Sequence, residues 1–298
     1  MGFHKLETKD RIWAEPLLKA SGFDGCDYSF ANLCMWSDVY DQQIANVAGM
    51  VCVRSYDSEN DEFFYLFPSG YGDLKEAVEF IRKDAKELGT PFVLRGFGQA
   101  GKKQLEELFP NELRIESIRI EWDYLYPVED LAWLKGKKYH GKRNHIAAFE
   151  KDGDWSFEPI SKHNIEVCQQ LCTDWYRAQQ EKGNEAALFD KTVVERALSN
   201  FDELRLEGGI LYQNQKPVAF TVGEPLNENT YVVHIEKAFS EVRGAYPMIN
   251  REFVRFAMMQ YKYVNREEDD GVEGLMKAKM SYHPILLEKF EAREVDQV

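Results

Sequence analysis

Alternating helices and strands, in an order that occurs twice, constrain the fold of this 298-residue chain more than any other feature. In the first half, apolar periodicity and turn residues predict strands at 44–55 and 62–67, helices at 73–88 and 102–109, and an extended segment at 115–126. The second half repeats the alternation, with predicted helices at 137–150, 164–181, 190–200, 247–261 and 272–282 and predicted strands at 155–159, 204–212, 217–223, 231–238, 261–264 and 286–293. Because the order of elements occurs twice, we predict an α/β (α+β) protein of two domains, 1–130 and 131–298. No low-complexity linker marks the junction, which we place near 127–135.

The composition suits a globular protein with a large core, since 44% of the residues are hydrophobic and 13% are aromatic. No apolar run approaches the roughly 18 residues that a membrane helix needs, and the N-terminus lacks the apolar segment of a signal peptide. The five cysteines show no paired spacing, which favours free thiols in a reducing compartment. We therefore expect a cytoplasmic protein without an integral membrane segment.

The charge of the chain is strongly acidic but unevenly spread. A formal net charge of −14 disfavours general binding to nucleic acids or anionic membranes. The segment between Asp130 and Glu150, however, contains no acidic residue. It carries the basic and histidine residues Lys135, Lys137, Lys138, His140, Lys142, Arg143 and His145. Two interpretations remain open: a local anion-binding segment, or a solvated basic helix that pairs with acidic surface elsewhere.

Lys279 lies within an apolar arc of the helix predicted at 272–282. At 100° per residue, the following residues share that arc: Val272, Leu275, Met276, Met280 and Tyr282. A buried ammonium is costly without a partner, so we expect the Lys279 amine to be mostly buried and to face a carboxylate or a cleft. The alternative is a lysine whose stem covers the core while its amine reaches water.

The strand predicted at 231–238 carries the best candidate for a general base. Alternation places Val232, His234 and Glu236 on one face of this strand. A carboxylate among apolar neighbours can take up a proton, and His234 could share or orient that role. The alternative is a structural ion pair between Glu236 and a basic residue such as Lys279.

Two loops of the second half are candidate ligand sites. Arg243 and Gly244 precede the helix that starts near Pro247, where free N–H groups and the helix dipole favour anions. The segment Asn265–Asp269 follows a short strand, and ligands often bind at the carboxyl ends of strands. A solvated charged loop is the alternative for the second segment. We find no metal-ligand spacing, phosphate-binding loop or dinucleotide fingerprint, and we predict no metal site.

Six motifs carry a resemblance to a known family. They are YSFANL at 28–33, KKYHGKRNH at 137–145, HIEKA at 234–238, GAYPMIN at 244–250, NREED at 265–269 and KAKMSYHP at 277–284. The chain resembles a bacterial family related to the C-terminal domain of phosphatidylglycerol lysyltransferases. The resemblance implies two tandem GNAT-like acyltransferase domains, each a mixed, mainly antiparallel sheet flanked by helices. Such relatives transfer an aminoacyl group from a charged tRNA to an amine or a lipid hydroxyl.

The resulting hypothesis is an aminoacyl- or acyl-transferase with its site in the second domain. We predict Glu236 as the base, Lys279 as an oxyanion donor and His234 as a further catalytic residue. The predicted substrate-binding residues are Lys138, Lys142, Arg143, Arg243, Asn250, Asn265, Glu267, Asp269, Tyr282 and His283. The donor would be an aminoacyl-tRNA held by the basic segment 135–145, and the acceptor a small-molecule or peptide amine. Two alternatives are an acyl-CoA donor and a non-catalytic protein that binds a small ligand on the same fold.

Overall fold

The computed structural model describes residues 2–58 and 60–295 and separates into two compact units. The first unit comprises the residues through Asp123, Glu268–Gly271 and the residues from Leu286 onwards, and the second comprises Tyr124–Glu267 and Val272–Ile285. The sequence pattern places one boundary near 127–135 and assigns every later residue to the second domain. The structure differs because the C-terminal strand pairs with strands of the first unit, a long-range contact that local patterns do not encode.

The first unit is built on a seven-stranded sheet of order β1-β2-β3-β4-β5-β14-β6. Its strands are β1 (His4–Lys5), β2 (Gln43–Val47), β3 (Met50–Asp57), β4 (Glu62–Gly70), β5 (Val93–Phe97), β6 (Leu113–Ser117) and β14 (Phe290–Glu294). Its helices are α1 (Arg11–Lys19), α2 (Phe30–Trp36), α3 (Leu74–Leu88) and α4 (Gln99–Leu108), with 3-10 turns at Thr8–Asp10, Cys26–Tyr28 and Arg119–Glu121. The β4–β5 pair is parallel, and the other pairs of this sheet are antiparallel.

Helix α3 shows how local sequence determines an element of this unit. The Asp73 carboxylate accepts a hydrogen bond from the Glu76 N–H at 3.1 Å, and Gly89 ends the helix in the left-handed region at φ 70°. The apolar face of α3 packs into the core, as predicted. The strand predicted at 44–55 is wrong in one respect, because Ala48 and Gly49 adopt positive φ angles and fold it into a β2–β3 hairpin.

The second unit is built on a seven-stranded sheet of order β13-β7-β12-β11-β10-β9-β8. Its strands are β7 (Asp123–Pro127), β8 (Trp155–Pro159), β9 (Glu207–Gln213), β10 (Lys216–Pro225), β11 (Thr230–Ala238), β12 (Tyr263–Asn265) and β13 (Ile285–Leu287). Its helices are α5 (Val128–Trp133), α6 (His140–Lys151), α7 (Ile165–Glu181), α8 (Lys191–Ser199), α9 (Ala245–Ala257) and α10 (Glu273–Met280), with 3-10 turns at Lys137–Tyr139 and Glu185–Leu188.

Both sheets are mixed and mainly antiparallel, and helices flank them. The predicted fold class, an α/β protein with two units that are each a mixed, mainly antiparallel sheet flanked by helices, is therefore confirmed. Among the described residues, no helix combines the length and apolar character needed to cross a lipid bilayer.

Two irregularities of β11 shape the second unit. First, β11 pairs in parallel with β12 only from Thr230 to Val232, although β11 continues to Ala238. Second, the pairing of β11 with β10 shifts at His234, which is the extra residue of a β-bulge. A bulge reverses the alternation of side chains along a strand. The predicted alternation is therefore wrong across this strand, because Tyr231 and Glu236 both contact α9 instead of facing opposite sides.

Candidate functional site

Glu236 lies in the part of β11 that extends beyond its pairing with β12. Its Oε1 atom is 2.8 Å from Nη2 of Arg266, which follows the last residue of β12. Its Oε2 atom accepts a hydrogen bond from the side-chain amide of Asn250 at 3.0 Å. Asn250 belongs to the buried face of α9, so strand, loop and helix together fix this carboxylate. The sequence analysis considers an ion pair between Glu236 and a basic residue such as Lys279. In the structure, the basic residue that pairs with Glu236 is Arg266.

Two tyrosine rings lie next to this ion pair. The guanidinium carbon of Arg266 is 5.7 Å from the ring centre of Tyr126 and 5.3 Å from that of Tyr282. The amine of Lys142, on α6, is 3.8 Å from the ring centre of Tyr282. Burial of the Lys142 amine, together with the nearby Arg266 cation, lowers its pKa to about 8. The structure thus brings Lys142, Asn250 and Tyr282, three predicted substrate-binding residues, to Glu236.

His234 belongs to an adjoining network of carboxylates. Its Nδ1 atom is 2.7 Å from Glu267 Oε1, and its Nε2 atom is 3.4 Å from Glu224 Oε1. Burial alone would disfavour the imidazolium, but the hydrogen bond to Glu267 and the nearby Glu224 carboxylate outweigh it and raise the pKa of His234 to about 9. At neutral pH the ring is therefore protonated, and it holds two carboxylates in place instead of accepting a proton.

The backbone of Glu267 adopts a left-handed conformation, with φ 59°. Three contacts hold it: its N–H donates to the Asn265 side chain at 2.6 Å, and its carbonyl accepts from the Tyr124 N–H at 3.2 Å and from the Lys279 amine at 3.3 Å. A non-glycine residue persists in this region only where its surroundings enforce it. Asn265 and Lys279 therefore hold the backbone of Glu267, whose carboxylate pairs with His234.

Lys279 is buried, as predicted, but the apolar arc proposed for its helix is wrong. In α10, Lys279 is the buried residue, whereas Leu275 is 38% exposed and Met280 is 43% exposed. The arc fails because α10 ends at Met280, and the buried Tyr282 follows it in a turn. The Lys279 amine lies 5.6 Å from the ring centre of Tyr124 in addition to its contact with Glu267.

The remaining residues of the basic segment divide into two groups. Arg143 is structural, because its guanidinium donates to the carbonyls of Leu134 and Gly136 and so caps the end of α5. Lys138 is exposed and pairs with Asp130 at 3.1 Å. The exposed members of the segment are Lys135, Lys137, Lys138, His140 and His145.

The three remaining predicted residues are Arg243, His283 and Asp269. Arg243 is exposed in the loop before α9, next to Gly244, whose φ of 85° and close approach to the His145 carbonyl require glycine. His283 is exposed and touches the ring of Tyr139. Asp269 belongs to the first unit, where it pairs with Arg119 at 3.6 Å.

The first unit contains a buried charge cluster that the sequence analysis did not anticipate. The Lys289 amine is 2.6 Å from Asp27 and 2.8 Å from Asp123, and it lies 3.6 Å from the Cys26 sulfur. Cys26, Asp27 and Asp123 have the mutual separations of a metal-ligand set, but the Lys289 ammonium already supplies the positive charge there. Burial opposes that charge, and the two aspartates outweigh it and raise the pKa of Lys289. The available signal was a lysine within an otherwise strand-like segment, 286–293.

The arrangement in the second unit suits proton transfer next to an anion. Glu236 is a half-buried carboxylate with two fixed donors, and a carboxylate has about four acceptor positions, so positions remain for the N–H groups of a bound amine. Arg266 and Lys142 add two cations beside it. Developing negative charge and substrate anions are stabilised by donors held in such a site.

Comparison with known proteins relates the chain to one family. The profile described as phosphatidylglycerol lysyltransferase, C-terminal, matches residues 19–293. A solved structure of a conserved protein of unknown function from Bacteroides thetaiotaomicron is 38% identical, covers 99% of this chain and 100% of its own, and has a TM-score of 0.93. The structure of L-PGS from Bacillus licheniformis is 13% identical, covers 100% of this chain and 95% of its own, and has a TM-score of 0.69, which shows a shared fold. No curated protein sequence matches the chain.

Proposed function

The chain belongs to the phosphatidylglycerol lysyltransferase C-terminal family, and from that premise we propose that it transfers an aminoacyl group from a charged tRNA to an amine. The observation that carries the proposal is the Glu236 carboxylate, fixed by Arg266 and Asn250 where β11 extends past β12. The carboxyl ends of adjacent parallel strands are frequent ligand sites.

In the proposed reaction, the acceptor amine approaches Glu236 as an ammonium and gives up a proton to the carboxylate, directly or through water. The neutral amine then attacks the ester carbonyl of the donor. An amide bond forms, the ester bond breaks, and the released tRNA oxygen takes up one proton from the attacking nitrogen, while protonated Glu236 returns its proton to water. Arg266 and Asn250 orient Glu236, while Lys279 acts as a positioning residue through Glu267.

Binding of the tRNA is assigned to the exposed lysines Lys135, Lys137 and Lys138 at the start of the basic segment. Phosphate contacts made by such lysines weaken steeply with added salt. Lys142 and Arg143 are less suited to this role, because one lies beside Glu236 and the other caps α5.

The donor is tested by incubating the protein with tRNA charged with a radiolabelled amino-acid mixture, a pool of small amines and, separately, acetyl-CoA. We expect label to pass from tRNA to an amine, and tRNA affinity to fall at least about tenfold when Lys135, Lys137 and Lys138 are replaced together by Ala. The matched control replaces Lys216, Lys151 and Lys191, which lie outside the basic segment. Transfer from acetyl-CoA alone would assign an acyl-CoA donor, and binding of amines without transfer from either donor would assign a non-catalytic protein.

A further inference from the structure

Arg266 has hydrogen-bonding capacity that the protein leaves unused. Its Nη2 atom binds Glu236, but its Nη1 atom is buried and has no hydrogen-bond partner among the described residues. A guanidinium carries five N–H donors, and buried donors are normally satisfied. The unused Nη1 edge is therefore suited to a group that the chain itself does not supply.

Lys142 presents a second such donor next to the same aromatic ring. Its amine lies 3.8 Å from the ring centre of Tyr282, and the Arg266 guanidinium carbon lies 5.3 Å from it. No carboxylate lies within ion-pair distance of the Lys142 amine in the parts of the chain that the structure describes. The side chains of Lys142 and Arg266 are both partly buried, so neither charge is fully hydrated.

The local charge balance is opposite in sign to that of the whole protein. Two cations, Lys142 and Arg266, face one carboxylate, Glu236, in a chain of formal net charge −14. Burial, and after it the repulsion between the two cations, disfavours the protonated amine of Lys142. An anion bound between them would remove that repulsion and satisfy the unused guanidinium N–H groups.

We propose that Lys142 and Arg266 form a binding subsite for one anionic group of the substrate, a carboxylate or a phosphate, held next to Glu236. The planar guanidinium offers Nη1 to one anionic oxygen, and the Lys142 ammonium supplies a mobile charge for a second. The ring of Tyr282 lies next to both cations. The subsite rests on the proposed function only for its role in catalysis. It deepens that function, because it specifies a substrate with an anionic group near its reacting amine or carbonyl.

The experiment measures the reactivity of Lys142 itself. The protein is trace-labelled with acetic anhydride at pH 8, and the modified peptides are quantified by mass spectrometry. Inorganic phosphate or acetate is added at constant ionic strength, with chloride as the balancing anion. A bound anion raises the pKa of Lys142, and a rise of one unit above about 8 slows its labelling about fivefold at this pH. Comparing the phosphate and acetate series distinguishes the two anion chemistries.

Lys83 on α3 is the internal control, because it is exposed, lies outside the basic segment and already pairs with Glu87 at 3.7 Å, so its labelling should stay constant. In the variant Arg266→Lys, which keeps a charge for Glu236 but removes the Nη1 edge, the protection of Lys142 should be lost. Unchanged Lys142 labelling with both anions, or equal protection of Lys83, would overturn the subsite. No acyl donor is present, so this outcome would leave the transferase activity to be judged on its own.

Discussion

Glu236 and Arg266 are joined by a 2.8 Å ion pair although 29 residues separate them in the sequence. The pair exists because β11 and β12 run parallel only as far as Val232 and Asn265. The next residue of the chain, Arg266, reaches across to the unpaired continuation of β11. Both side chains are nearly buried, with 13% of the Arg266 side chain and 10% of the Glu236 side chain exposed.

Removing only the cation of this pair should destabilise the protein. We expect Arg266→Met to lower the free energy of unfolding by about 3–5 kcal/mol, because the Glu236 charge would remain buried without its partner. Urea denaturation gives the value. The double variant Glu236→Gln/Arg266→Met should recover most of the loss, since no uncompensated charge is left. An equal or larger loss in the double variant would show that the ion pair is not what Arg266 contributes.

His234 should make stability depend on pH above neutrality. Its pKa in the folded protein, about 9, lies above the value near 6.5 of an unfolded histidine, so the folded state holds the proton more tightly. This stabilisation is complete below pH 6.5 and is lost as the pH rises through 9. Its full size is about 3–4 kcal/mol, from 1.36 kcal/mol per pKa unit over a rise of about 2.5 units.

The measurement compares the free energy of unfolding of the parent protein and of His234→Gln at several pH values between 6 and 10. The difference between the two proteins should decrease with rising pH and level off above 9. A constant difference across this range would mean that the ring is neutral in the folded protein.

The Lys289 cluster predicts a strong effect in the first unit. The Lys289 and Asp123 side chains are 1% and 0% exposed, so Lys289→Met leaves Asp123 charged and buried. We expect a loss of about 3–5 kcal/mol in the free energy of unfolding. The matched control is Lys277→Met, which removes an exposed ion pair with Glu273 and should cost less than about 1 kcal/mol. Similar losses in both variants would contradict the assignment of Lys289 to a buried pair.

Local patterns in the sequence predict many elements of this fold, because caps and apolar periodicity act over a few residues, but α1 and α2 are not among the predicted elements. Asp73 and Gly89 delimit α3 in this way. The choice of partners was not predictable, because it depends on strand pairing. Glu236 meets Arg266 instead of Lys279 because of the way β11 and β12 diverge, and the bulge at His234 changes the face of the strand. Lys289 meets Asp27 and Asp123 only once three distant segments have come together.

The basic segment shows the same limit. Its positive charge is evident in the sequence, but the roles of its members are not. Arg143 caps α5 because Leu134 ends that helix in a left-handed conformation, at φ 49°. Lys142, one residue earlier, points toward Tyr282 and Arg266. Neighbouring positions of a helix face different directions, so adjacent charges serve a structural role and a site role.

The central claim, that Glu236 accepts the proton of the acceptor amine, is tested most directly by single-turnover transfer from labelled aminoacyl-tRNA. Glu236→Gln keeps the size of the side chain and an oxygen for Arg266, but it cannot take up a proton. We predict that it slows transfer by about 10²–10⁴-fold while the affinity for charged tRNA stays unchanged. Glu228→Gln, at an exposed position in the turn before β11, should transfer at the parent rate. Transfer by Glu236→Gln at the parent rate, in a folded protein, would contradict the account.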